Sequence, residues 1–455
     1  MAQISYIKYT NIKEARRYDA EYFKPFNLHA EKLITNSNFS YLETLGKFII
    51  GPFGSTVKVE DYVEKAKYKY IRGKDIKNGI LSDVDNSAIT KEKFDSLPRY
   101  HLKNNDILIT VVGTLGNVAI YRDSFGPAIF SCKSTVFRTN KIDPEFLMIY
   151  LDTKFGKSLL MRNERGAIQK GFNLPDLKKI PVPTFTDGFY KTINNFVSLS
   201  HQKQTQSKTF YREAEELLLA ELGLLDYLVK HELTFSTTKK EIEEAHRYDS
   251  EYFQPKYAKI IKKIEEYEGG WDIAGEMVKW KKGVEVGTDT YTETGKDFVR
   301  VSDFSVFGLA ESNRKISDQT FEELKKNYQP KQGEILFTKD GTIGISYVLK
   351  EDIQGVLSGA FLRLTLKEKY QDFEKECLSL IFSSILCKMQ VEKLSGGALI
   401  AHLKPSDFET FKIPLIKPSI QKQIALKIQE SHRLRKESKD LLEEAKRKVE
   451  EEIEK

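Results

Sequence analysis

A chain of 455 residues is long for one hydrophobic core, so the length favours two or three domains. Charged residues at 30% and hydrophobic ones at 40% are ordinary for a globular protein and exclude a collagenous or disordered chain. The net charge of +6 permits a polyanionic partner without requiring one, and no apolar stretch approaches the length of a membrane span.

In chain order, the polar opening MAQISYIKYTNIKEARRYD lacks an apolar signal core. It leads into RRYDAEYFKP, Arg16 to Pro25. Here Arg17 can neutralise the nearby acids Asp19 and Glu21, and the Tyr and Phe residues read as packing anchors. A structural role at the root of a domain is therefore expected in preference to a catalytic carboxylate pair. Next come GPFGSTVKVEDY from Gly51 to Tyr62 and KYIRGKDIKNGIL from Lys69 to Leu81. Asp106-Ile107-Leu108-Ile109-Thr110 reads as a buried strand, and Gly113 to Gly116 as the tight turn after it. Gly166-Ala167-Ile168 leads to the proline exit Ile180-Pro181-Val182-Pro183 and then to a long polar, helix-forming tract.

The second half repeats this order. HRYDSEYFQP from His246 to Pro255 echoes the first motif, with Arg247, Asp249 and Glu251 in place of its charges. Phe298 to Phe304 matches Tyr70 to Ile76, and Glu334-Ile335-Leu336-Phe337-Thr338 with Gly341 to Gly344 matches the strand and turn. Gly397-Ala398-Leu399, Ile413-Pro414-Leu415 and a second helical tract complete the series. A repeat of this length is a duplicated domain, not a solenoid unit. The stretch from Gly51 to Tyr62 has only a loose counterpart in Lys281 to Gly287.

Both tracts carry a coiled-coil seam with alternating spacings of three and four. In the first it runs Ile193, Val197, Ser200, Gln204, Ser207, Tyr211, Ala214 and Leu218. In the second it runs Ile424, Ile428, Ser431, Arg435, Ser438, Leu442, Ala445 and Val449. The small seam residues predict close backbone approach, and the two helices would most simply pair with each other.

A search for catalytic signatures comes up short. There is no GxxxxGK[ST], HExxH, GxSxG or GxGxxG between strand and helix, and no double proline of the kind a base methyltransferase needs. Pro175-Asp176 and Glu444-Ala445-Lys446 do not form a nuclease cluster. Cys132, Cys377 and Cys387 make no CxxC pair and have no histidine at ligand spacing, so no metal site or disulfide is expected and a reducing cytoplasm is the natural setting.

The duplicated RYDxEYFxP opening, the proline exits into long helices, and segments such as NDILIT with GTLGNVAI and AELGLLDYL resemble the specificity subunit of type I restriction-modification systems. That resemblance covers essentially the whole chain. It implies an α+β fold of two target recognition domains joined by two long antiparallel coiled-coil helices with pseudo-two-fold symmetry. The expected domains are 1–185, a first target recognition domain; 186–229, a central spacer helix; 230–416, a second target recognition domain; and 417–455, a distal spacer helix. It further implies a cytoplasmic, non-catalytic subunit serving DNA methylation and phage defence, each domain reading one half of a bipartite asymmetric site in double-stranded DNA. The helices would set the spacer and dock two methyltransferase subunits, joined by restriction subunits. No cofactor is expected on this chain; S-adenosylmethionine, ATP and magnesium belong to the partners. A helix from Phe189 to Leu222 would be on the order of 50 Å long, against about 34 Å for a turn of duplex. A methyltransferase or nuclease with unrecognised motifs, and a coiled-coil scaffold binding only proteins, are the competing readings.

Base edges in the major groove are read by polar side chains, whereas phosphates are held by Lys, Arg, Ser and Thr. The candidate DNA contacts in the first half are Gly54, Ser55, Lys58, Arg72, Lys74, Thr110, Thr114 and Lys170. In the second they are Lys281, Lys282, Arg300, Ser302, Lys339, Thr342 and His402. Arg72 and Arg300 occupy matching positions, which favours phosphate contact or a structural role over base readout.

Overall fold

The computed structural model describes residues 4–63, 66–77, 79–82, 87–166, 170–310, 312, 314–395 and 402–455. Ala167 and Ile168 of the first glycine motif, and all of Gly397-Ala398-Leu399, lie outside the described residues. The chain divides into two compact units, residues 1–203 with 437–455, and residues 204–436. Among the described residues no helix is long and apolar enough to cross a membrane.

In the first unit a four-stranded antiparallel sheet has the order Gly46–Ile50, Ser134–Thr139, Ile107–Thr110, Val118–Ile120. A second sheet has the order Ala128–Phe130, Tyr68–Ile71, Ser87–Ile89, Tyr62–Val63, and its first pair is parallel. Strand alternation explains the uninterrupted apolar run in ILIT. Ile107 and Ile109 face a core with Phe137, Phe146, Phe155 and Leu160, while Leu108 faces a separate one with Ala119, Phe130 and Val136. Both faces of the strand are covered, and its one polar residue, Thr110, is buried with its hydroxyl accepting from the Asn117 N–H.

The second unit repeats the plan. Its antiparallel sheet runs Val278–Lys282, Phe361–Leu366, Ile335–Thr338, Ser346–Val348. Its second sheet runs Tyr291–Thr292, Lys315–Ile316, Lys296–Val299, Gly355–Leu357, again with one parallel pair, between Lys296–Val299 and Gly355–Leu357. Ile335 and Phe337 point to the large core with Phe382 and Phe408, and Leu336 to the smaller one with Phe304 and Phe361.

The long helices span Asp187–Glu221 and Pro418–Glu454. Proline at the first position suits a helix start, where its missing N–H costs nothing. Gly223, at φ +64°, stops the first helix in a left-handed cap, with the Leu224 N–H donating to the Leu219 carbonyl at 2.7 Å. In the first unit Ile193, Val197, Leu442, Ala445 and Val449 enter the core, and the Ser200 hydroxyl donates to the Ser438 carbonyl at 2.8 Å. With Lys203 paired to Glu437, the two segments run antiparallel.

In the second unit Ala214, Leu218, Ile424 and Ile428 are buried, and Tyr211 packs half-buried with its ring 5.3 Å from Phe307. The Ser431 hydroxyl donates to the Ser207 carbonyl at 2.7 Å, and Lys427 pairs with Glu213. These segments are antiparallel as well. A serine hydroxyl that bonds the facing backbone requires close helix approach, which larger seam residues would forbid. The polar seam residue Arg435 lies over the Phe307 ring at 4.6 Å.

Ser207→Ala and Ser431→Ala should each cost about 1 kcal/mol. The double variant should cost less than their sum, because the two hydroxyls also face each other at 3.2 Å. Both tryptophans, Trp271 and Trp280, belong to this unit, so urea unfolding followed by tryptophan fluorescence reads the effect. Strict additivity would show that the hydroxyls act separately.

Candidate nucleic-acid interface

Each unit builds one cluster of loops on the same hydrogen-bonded frame. Gly51 and Gly283 end the first strand of each antiparallel sheet at a close backbone approach. A Cβ there would stand 2.3 Å from the Ser131 carbonyl oxygen in one unit and 2.1 Å from that of Ser358 in the other. Only glycine fits. The Ser131 N–H donates to Ile71 and that of Ser358 to Val299, both at 2.9 Å, which brings in the next loop. That loop starts at Arg72 and Arg300, whose backbone N–H groups donate to the Asp75 and Asp303 carboxylates at 2.8 and 3.1 Å.

The glycine turns join the same cluster. The Thr110 hydroxyl accepts from the Asn117 N–H at 2.8 Å, and that of Thr338 from Ile345 at 2.9 Å. These bonds close turns in which Gly113, Gly116, Gly341 and Gly344 all have positive φ. Beyond them, the Val111 N–H donates to Lys133 and the Lys339 N–H to Ala360, each at 2.8 Å. The Phe172 N–H returns to the Val111 carbonyl as the Leu403 N–H does to that of Lys339. Five chain segments are thereby fixed together in each unit.

On that shared frame the exposed side chains differ. Between Pro52 and Val57 the first unit carries the turn Phe53-Gly54-Ser55-Thr56, with Thr56 N–H donating to the Phe53 carbonyl at 2.8 Å. Between Val284 and Val286 the second unit has only Glu285. Phe53 is 85% exposed, and exposed Lys133 has Ala360 as its counterpart. Val111, Val112 and Gly171 of one unit are replaced by Lys339, Asp340 and His402 of the other, whose backbones pair in the same way. Two chemically distinct surfaces result.

The type I restriction modification DNA specificity domain matches this chain over residues 50–184 and 274–446. The chain belongs to that family. The specificity domain is present twice, once in each half, in a fold of mixed helix and sheet. The type I restriction enzyme EcoBI specificity subunit of Escherichia coli is 29% identical over 130 residues, a match covering 25% of this chain and 27% of that relative's length. The S subunit of a type I restriction-modification system from M. genitalium aligns with 14% identity and a TM-score of 0.37, over 92% of this chain and 95% of that one. The HsdS subunit from Thermoanaerobacter tengcongensis aligns with 14% identity and a TM-score of 0.27, over 91% and 95% of the two chains.

Within the two specificity domains, Gly54, Ser55, Lys58, Lys74, Thr114 and Lys170 are exposed in the first, and Lys281, Lys282, Ser302, Thr342 and His402 in the second. Lys170 pairs with Glu164. Arg72 and Arg300 are half-buried, and each leaves a buried Nε without a hydrogen-bond partner among the described residues, that of Arg300 lying 3.9 Å from the Asp303 carboxylate. Thr110 and Thr338 are fully buried and hold the glycine turns, so Thr110 has no surface with which to meet a base. Lys339 is also buried, its ammonium paired with Asp340, which in turn holds Nδ1 of His402. Phe53, Lys133, Glu285 and Asp340 stand among the exposed or half-buried positions of the loops, and sequence reasoning passed them over. The signal available for Phe53 and Glu285 was the mismatch after Gly51 and Gly283.

The Arg17 guanidinium holds the Asp19 carboxyl below its ordinary value, and Arg247 does the same to Asp249. Burial raises the Tyr70 phenol well above its ordinary value and keeps it neutral beneath the first loop cluster. Among the described residues no group of three or more His, Cys, Asp or Glu side chains is placed to hold a metal ion.

Proposed function

We propose that this chain is the sequence-recognition subunit of a type I restriction-modification complex, each specificity domain reading one half of a bipartite, asymmetric DNA site. The observation that carries it is the pairing of one repeated hydrogen-bonded frame with two different sets of exposed side chains. A shared frame positions the backbone alike on two half-sites, and unlike tips read unlike bases. Exposed lysines such as Lys58, Lys74 and Lys133, and Lys281 and Lys282, supply phosphate contacts whose strength falls with salt.

On this reading the long helices set the unread spacer and dock two methyltransferase subunits, with restriction subunits added to that core in the cytoplasm. S-adenosylmethionine, ATP and magnesium are bound by those partners, and this chain performs no chemistry. Purified chain incubated with duplex DNA and S-adenosylmethionine, or with a divalent metal, is expected to leave the DNA unmodified and uncut, with methylation appearing once the methyltransferase is added. Methylation or cleavage by the chain alone would overturn the non-catalytic reading and favour an enzyme with unrecognised motifs.

A further inference from the structure

The motifs RRYDAEYFKP and HRYDSEYFQP share one backbone plan and expose the same tyrosine. Each follows a short helix, Tyr9–Ala15 or Lys239–Ala245. Each helix is closed by a non-glycine residue in the left-handed region, Arg16 at φ 50° and His246 at φ 49°. Side chains with a Cβ rarely adopt that conformation, and a strained residue persists only where the surrounding structure imposes it. Here it recurs at the same place in both units.

The rest of the motif is tied down. Arg17 grips Asp19 through Nε and Nη2, both at 2.7 Å, and Arg247 grips Asp249 at 2.6 and 2.8 Å. Tyr22 stacks against the guanidinium groups of Arg17 and Arg162, and Tyr252 lies under Arg247 and Lys393. Phe23 is buried. The tyrosine between the gripping residues is left out: Tyr18 is 80% exposed and Tyr248 88%. The packing-anchor reading therefore fails for this one position and holds for its neighbours.

A large amphipathic ring held out on a braced, strained loop is the form of an interface anchor, since tyrosine covers much area at little entropic cost. Its repetition on identical frames means that one partner surface fits both. DNA half-sites that differ in sequence are read by side chains that differ, so an identical pair is the wrong form for base readout. We infer that Tyr18 and Tyr248 are the centres of two equivalent protein-docking sites, each taking one copy of the same methyltransferase subunit. This rests on the proposed function for the identity of the partner, and it places the docking contact on the loops at the root of each domain, in addition to the helices.

The test uses the full chain with the methyltransferase of its own restriction-modification system, the stoichiometry being read by native mass spectrometry and duplex binding by anisotropy. Wild type is expected to bind two copies. Tyr18→Ser and Tyr248→Ser should each weaken one site on the order of 30-fold or more, leaving one copy bound at a concentration that saturates wild type. The double variant should bind neither, while Tyr→Phe at both positions restores two. Both side chains are solvent-exposed, so the unfolding midpoint should not move. Two copies on the double variant with undiminished affinity would overturn the inference, as would lost DNA binding with the stoichiometry intact. If wild type itself bound no methyltransferase, the partner in the proposed function would fall, and the docking sites with it.

Discussion

Arg363→Ala is expected to remove about 3–5 kcal/mol from the stability of the second unit, the usual cost of breaking a buried ion pair by deleting one member. Arg363 is 4% exposed and Glu334 11%. Nε and Nη2 meet the two carboxylate oxygens at 2.9 and 2.8 Å, and Nη1 donates to the Asn327 carbonyl at 2.9 Å. Deletion leaves Glu334 buried and uncompensated, still tied to the Lys331 N–H at 2.9 Å. The first unit supplies a control. Its acid, Asp106, meets an arginine that lies on the strand two positions further along, Arg138, which is 33% exposed. Asp106 is itself fully buried, so Arg138→Ala also leaves a buried carboxylate, but water reaches the arginine end of the pair. The loss should fall between about 1 kcal/mol, the value for an exposed pair, and that for Arg363→Ala. Tryptophan fluorescence in urea gives the first value, since both tryptophans report on the second unit. A loss below 1 kcal/mol for Arg363→Ala would mean that solvent reaches the pair.

His432 should make the second unit acid-labile. The ring is tucked against Tyr347, with centroids 4.8 Å apart, and Nε2 lies 3.1 Å from the Val306 carbonyl. Nδ1 is buried without a partner among the described residues. Burial is the main cause that pushes its pKa down from 6.5 to about 4, with the Lys350 charge adding to it and Glu376 opposing. Above pH 6.5 the ring is neutral whether the unit is folded or not, so it contributes no pH dependence there. Between 6.5 and about 4 the unfolded chain takes up a proton that the folded chain refuses, so stability falls as pH falls. The full interval corresponds to roughly 3 kcal/mol. His432→Gln keeps a donor for Val306 and removes the titration. The loss between pH 7 and pH 4 should therefore be larger in wild type by that amount, after subtraction of the carboxylates common to both. Equal losses in the two proteins would show that the ring is solvated.

What could be read from the sequence was what local pattern determines. Ile107-Leu108-Ile109 and Ile335-Leu336-Phe337 are apolar because both faces of each strand are covered, and the glycine turns behind them need positive φ. The seam positions from Ile193 to Leu218 and from Ile424 to Val449 are buried, apart from Tyr211 and Arg435, which are half-buried. Sheet pairing was beyond that reach. Strands of two to six residues, such as Tyr62–Val63 and Gly355–Leu357, carry too little periodicity, and their partners lie tens of residues away. The loop chemistry was half legible. Lys58, Lys74, Lys281 and Lys282 are exposed, whereas Thr110 and Lys339 turn inward because a turn N–H and an aspartate claim them. Lys133 was invisible because the frame that aligns it with Ala360 is made of backbone hydrogen bonds, and of Ser131-Cys132-Lys133 and Ser358-Gly359-Ala360 only the serine is shared.

The most direct measurement replaces residues 26–185 with the corresponding region of a homologue that recognises a different site. The chimera and its methyltransferase are expressed together, and methylation is mapped across the host genome. One half of the bipartite sequence should change to that of the donor, with the other half and the spacer unchanged. A site altered in both halves, or in neither, would contradict the assignment of one specificity domain to one half-site.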